Sequence, residues 1–67
     1  MTYLNENGNE ILKDAYIADV YEQFDAMFSK SKIEKAIDYV TEHFGQMSSD
    51  EMVYMIDEYN VMYSIKF

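Results

Sequence analysis

His43 is the only imidazole in the chain and there is no cysteine. Nucleophilic catalysis would therefore have to run from a serine with one available base, and a His/Cys zinc set cannot be assembled. The serines stand mainly at expected helix starts, in Ser31-Lys32-Ile33-Glu34 and Ser48-Ser49-Asp50-Glu51, where capping of backbone N–H groups accounts for them. His43 falls on the margin of a helical core stripe and reads as a boundary residue. Carboxylates are plentiful, but a glycosidase pair must converge in a cleft, whereas these are spaced to project from helix exteriors. A calcium loop would alternate acids around a central glycine before a distant Glu, and no such run occurs. Neither glycine lies in a GxGxxG or Walker-type run. No catalytic, cofactor-binding or metal-ligating residue is assigned, and the chain is expected to be neither an enzyme nor cofactor-dependent.

The chemistry left is that of a charged surface. Thirteen acidic residues face five lysines, for a formal charge of -8. Lysine is absent from Asp14 to Ser29 and again from Ala36 to Ile65, which leaves two continuous negative stretches. In the second, Asp50, Glu51, Asp57 and Glu58 fall on one side of a helical wheel, opposite Met52, Ile56 and Tyr59, with Tyr54 in their midst. A tyrosine ringed by carboxylates resembles an interaction hot spot, a rigid anchor within a field that draws basic partners. The plain alternative is a solvated helix face on which Tyr54 is incidental or covered by a sheet. Asp14, Asp19, Glu22 and Asp25 form a secondary acidic face on the first helix. Lys30, Lys32 and Lys35 make a local positive cluster that offsets nearby carboxylates, with Lys35 and Asp38 at i,i+3.

The elements that must position these residues can be read from periodicity. Asp14 to Phe28 is the strongest amphipathic stretch, with Ile17, Val20, Tyr21, Phe24, Met27 and Phe28 on one flank. Before it, Thr2 to Leu12 holds two half-apolar pieces around Asn7-Gly8, read as a small β-hairpin; an N-terminal coil or an early helix start at Asn9 is the alternative. After it, Ser29-Lys30 connects to a second helix that the capping box starts at Ser31. Ile33, Ala36, Ile37, Val40 and Phe44 form its core stripe, and Gly45 ends it. Ser48-Ser49-Asp50-Glu51 caps a third helix, with Met47 and Met52 as a hydrophobic staple and Met52, Val53, Met55, Ile56 and Tyr59 inward, ending near Asn60. From Val61 to Phe67 the period becomes 2, which predicts a terminal strand pairing with the hairpin. The expected fold is α+β in the order ββαααβ, three helices packed on a small antiparallel sheet. The alternative is a three-helix bundle with extended termini.

Sixty-seven residues make a single compact domain at the size where a core is barely sufficient. Forty-nine per cent hydrophobic and 16% aromatic residues are enough to fold it. No apolar run approaches the roughly 18 residues of a membrane span, and the opening MTYLNENGNE lacks a signal-peptide layout, so the cytoplasm is the expected location. A surface of this sign repels phosphates and anionic lipid, which disfavours direct nucleic-acid or membrane binding and favours a basic protein partner.

In overall character, short, acidic, cysteine-free and rich in Tyr and Met, the chain is similar to small phage-encoded proteins that disable host nucleases or polymerases. The resemblance is compositional, carries no diagnostic motif, and implies action in a host cytoplasm. An AT-rich genome would produce the same Lys, Asn, Ile and Tyr usage. The expected function is a small acidic protein-binding module, an inhibitor or adaptor that engages a nucleic-acid enzyme as a partial DNA mimic. Charge spacing makes the mimicry partial: Asp50 to Glu58 offers about one charge per 3 Å, against about one per 1.7 Å in duplex DNA. The alternative is a structural or regulatory homo-oligomer, a homodimer in the simplest case. It rests on the marginal core, six methionines and a strand edge left open.

Overall fold

Asn5 organises the N-terminal turn, because its side-chain oxygen accepts from the N–H groups of both Asn7 and Asn9 at 2.9 Å. Gly8 follows at φ 79°, where a residue without Cβ is unstrained. The turn folds β1 (Tyr3–Leu4) antiparallel onto β2 (Glu10–Ile11), with Tyr3 opposite Ile11 and Leu4 opposite Glu10. The expected hairpin is present. In this computed structural model, which describes residues 2–65, α1 (Lys13–Gln23), α2 (Lys30–Phe44), α3 (Ser49–Glu58) and a one-turn α4 (Val61–Ser64) follow. The chain is thus mostly helical with a two-stranded antiparallel sheet.

Each of the first three helices packs on the other two, α4 closes against α2 and α3, and β1 lies on α1. The core they enclose is Tyr16, Ile17 and Val20 from α1, Ile33, Ala36, Ile37 and Val40 from α2, Met52 and Ile56 from α3, and Val61 and Met62. Lys13 ties α1 to α2 across the surface, with Nζ 3.3 Å from Glu34 and 3.2 Å from Asp38. The Asp38 carboxylate, foremost, holds the Lys13 ammonium above its ordinary range. Asp38 thus faces α1 through Lys13.

The expected terminal strand is corrected. Val61 and Met62 are both buried while Tyr63 is exposed, the signature of a helical turn, and Ile65 N–H returns to the Val61 carbonyl at 3.2 Å. Lys66 and Phe67, the end of the predicted strand, lie outside the described residues. The reason is that Asn60, two residues past the end of α3, takes the left-handed conformation, φ 50°, which swings the chain back over α2 and α3. Meanwhile the outer edge of β1 is occupied in part by a parallel bridge from Leu4 to Ser48.

Two helix boundaries and one cap also differ. α1 ends at Gln23 rather than Phe28, closed by Asp25 N–H to the Glu22 carbonyl at 2.9 Å and Ala26 N–H to the Tyr21 carbonyl at 3.3 Å. This is the Schellman closure, with Asp25 in the position usually held by glycine. Asp25 and Ala26 both take positive φ, 53° and 56°. α2 is capped by Ser29, which accepts from Lys32 N–H at 3.3 Å, so the Ser31–Glu34 box does not form and Glu34 is free to meet Lys13. At α3 the residue before the helix is Ser48, as expected, but its hydroxyl donates to the Asp50 carboxylate at 2.6 Å instead of capping the backbone.

The left-handed Ala26 provides a stability test. A Cβ in that conformation costs about 1–2 kcal/mol, and glycine returns roughly 0.5–1 of it as unfolded-state entropy. Ala26→Gly is therefore expected to raise the urea midpoint by an amount equivalent to about 0.5–1 kcal/mol with an unchanged slope. A lowered midpoint would show that the turn is not held at positive φ in solution.

Candidate docking surface

α3 carries Asp50, Glu51, Tyr54, Asp57 and Glu58 on its outward side, all exposed. Their spacing accounts for this, since Met52 and Ile56 are fixed in the core and the five others lie about the opposite side of a 3.6-residue wheel. Tyr54 is 61% exposed, so the sheet does not cover it. The Ser48 hydroxyl holds the Asp50 carboxyl below its ordinary range, which keeps the charge at that end of the helix in place.

The secondary acidic face does not exist as one surface. Asp19 turns toward α3, where the buried Ser49 hydroxyl donates to its carboxylate. Asp14 lies on the other margin of α1, lining a polar hollow with Lys30, Ser31 and Glu34. Glu22 stays exposed, and Asp25 sits in the turn beyond the helix end. The wheel explains the split, since residues 14 and 19 are about 140° apart on a helix. Lys30 reaches over the Tyr21 ring, 5.4 Å from its centroid.

Where α1 ends early, a feature appears that periodicity did not reveal. Met27, expected in the core stripe, is 73% exposed. Together with Phe24, Phe28, Met62 and the 83% exposed Tyr63 it borders an apolar hollow of about 120 Å³, floored by Ile56. A second hollow of about 250 Å³ adjoins it, sharing Phe24, Met27 and Asp57 and reaching Val53 and Tyr54, with Asp25 at its side. Phe24 and Phe28 hold the wall together edge to face, 5.8 Å between centroids. The two hollows form one trough running into the Tyr54 face. Each is below the roughly 300–1,000 Å³ typical of small-molecule sites and is of the size that takes a side chain.

Two other expected core residues are on the surface. Phe44 and Tyr59 are both exposed and stack on each other at 5.5 Å. His43 is exposed too, stacked on Tyr39 at 4.2 Å with Nδ1 donating to the Tyr39 carbonyl at 2.9 Å. Among the described residues, no three His, Cys, Asp or Glu side chains are grouped to hold a metal ion, and no helix is long and apolar enough to cross a membrane. No protein-family model, no curated protein and no solved structure matches the chain, so its functional reading rests on this surface.

Proposed function

We propose that the protein is a small acidic protein-binding module, an inhibitor or adaptor that engages the basic surface of a nucleic-acid-handling protein, of the kind phages and mobile elements use in a host cytoplasm. The observation that carries this reading is Tyr54, exposed between Asp50, Glu51, Asp57 and Glu58 on one helix. Charges in that arrangement speed encounter with a basic partner, and an aromatic anchor supplies the short-range selectivity that sparse, partial mimicry of DNA lacks. The same field repels nucleic acid and anionic membrane.

The test is a pull-down from bacterial lysate at low and high salt, with a Tyr54→Ala, Asp57→Lys, Glu58→Lys variant beside the wild type. The expected result is capture of a nucleic-acid enzyme, weakened by salt and at least tenfold by the variant, since an anchoring tyrosine is worth about 2 kcal/mol or more. All three positions are exposed, so the fold survives the changes. Equal capture by the variant would overturn the reading.

Self-association is the second reading, favoured by the exposed Phe44–Tyr59 stack, an apolar patch away from the acidic wheel positions. The open terminal strand no longer supports it, because Val61–Ser64 is helical. Sedimentation equilibrium separates the two: a dimer that persists in the charge variant and is lost in Phe44→Ser would favour assembly.

A further inference from the structure

We infer that the trough between the end of α1 and the α3–α4 corner is a docking groove for a basic amphipathic helix, an apolar stripe flanked by Lys or Arg. The inference deepens the proposed function and rests on it, because it names the part of the basic partner that is held.

Three observations point to this occupant. The trough has an apolar lining, Phe24, Met27, Phe28, Met62 and Tyr63, contiguous across two hollows of side-chain size. Among the described residues its sides carry carboxylates alone of the charged groups: Asp57 borders both hollows and Asp25 the second. Tyr54 borders the second hollow, and the remaining acids of α3 lie on the same outward side of that helix. A cationic flank on an apolar segment therefore meets opposite charge at the trough, while an acidic segment would be repelled. The walls, finally, are α3, α4 and the closed turn after α1. Among the described residues no strand borders the trough, so it offers no sheet edge to which an extended peptide could add. A helix needs no such edge. It presents apolar side chains every three or four residues, and two successive anchors can enter two adjoining hollows.

The conformation of the chain keeps the groove open. Had α1 continued to Phe28, Met27 would have joined the core stripe. The two positive-φ residues Asp25 and Ala26 instead turn it outward, where its unbranched thioether can adapt to different partner side chains.

The experiment uses the full-length protein with ¹³C-methyl methionine and three synthetic peptides of equal length. One is a helix-forming Leu/Lys peptide with leucines at i, i+4 and i+7. The second is a scrambled sequence of the same composition, and the third a Lys/Gln peptide of the same charge. The expected result is that the striped peptide binds at least tenfold tighter than either control, shifting the Met27 and Met62 methyl signals. Met27→Gln and Tyr63→Ser, both at exposed positions, should each weaken it at least fivefold while leaving the Lys/Gln peptide unaffected. Equal binding of all three peptides without methionine shifts would overturn the groove and leave the acidic face of α3 standing. A protein that is already dimeric through Met27 would overturn it in favour of a second copy. Failure of all three peptides to bind would also overturn it, and the lysate pull-down would then decide the broader reading on its own.

Discussion

Replacing Tyr16 by Ala is expected to leave the protein largely unfolded. The side chain is fully buried at the meeting of α1, the hairpin and the start of α3. Its ring lies 5.1 Å from that of Tyr3, and its hydroxyl donates to the carbonyls of Met47 at 2.8 Å and Ser48 at 3.3 Å. Loss of a buried aromatic costs about 3–5 kcal/mol, against a total of roughly 3–10 kcal/mol for a chain of this length. Tyr16→Phe separates the ring from the donor and should cost about 1–2 kcal/mol, the worth of a buried hydrogen bond whose acceptors are left behind. Urea denaturation followed by circular dichroism reads both.

The same residue sets an alkaline limit. Burial, foremost, and then the charges of Tyr3, Glu51, Asp19 and Asp50 raise the Tyr16 phenol well above its ordinary 10.0. Below pH 10 the phenol is neutral in both states and its contribution is complete. Above pH 10 the unfolded chain releases the proton while the folded chain keeps it. Stability then falls as pH rises, by about 1.4 kcal/mol per unit. Tyr16→Phe should flatten that decline even though it is less stable at neutrality. Parallel alkaline curves for the two proteins would show that the phenol is not sequestered.

Ile56→Ala is the second large effect. Ile56 is buried in the core and also floors the trough, so truncation removes packing from α3 and deepens the groove at once. A loss of about 2–5 kcal/mol is expected. Ile56→Val should cost about 0.5–1.5 kcal/mol, which at roughly 4–8 °C per kcal/mol for a small domain is readable as a lowered Tm. Met27→Gln, close by but exposed, should stay within about 0.5 kcal/mol of wild type. A Met27 variant as damaging as Ile56→Ala would mean that Met27 is packed inward and the trough closed.

The parts of the fold written in local chemistry were legible in the sequence. Asn7-Gly8 marked the hairpin, Gly45 the end of α2, Asn60 the end of α3, and the stripe of Ile33, Ala36, Ile37 and Val40 marked a buried face. All depend on neighbours a few residues away. What failed depends on the rest of the molecule. Ala26 is a good helix former, and nothing in its type announces a left-handed turn, so periodicity extends α1 to Phe28 and puts Met27 in the core, whereas the helix ends at Gln23. Val61, Tyr63 and Ile65 alternate as a strand would, yet the hollow over α2 and α3 takes Val61 and Met62 side by side, which only a helical turn allows. Tyr16 carries no local signal of its role, since the carbonyl that accepts from its hydroxyl at 2.8 Å stands 31 residues downstream.

The candidate surface divides in the same way. The α3 face follows from spacing on one helix, and its five residues are exposed together. The second acidic face required residues 14 to 25 to be one uninterrupted helix with nothing packed beside it. Ser49 claims Asp19 from a neighbouring helix, and the turn removes Asp25. The trough needs three separate segments to meet, and no single stretch carries its signal.

The bridge from Leu4 to Ser48 has a consequence for a chain emerging from a ribosome. The hairpin is synthesised first and its turn is local, yet the strand has nothing to lean on until α1, α2 and the following loop have been made. Closing so long a loop is slower than forming any of the helices. A nascent chain stalled before Ser48 would also leave the Tyr16 hydroxyl without its acceptors. The hairpin is thus a latch made early and fastened late, since the partner of Leu4 is a residue that follows two helices.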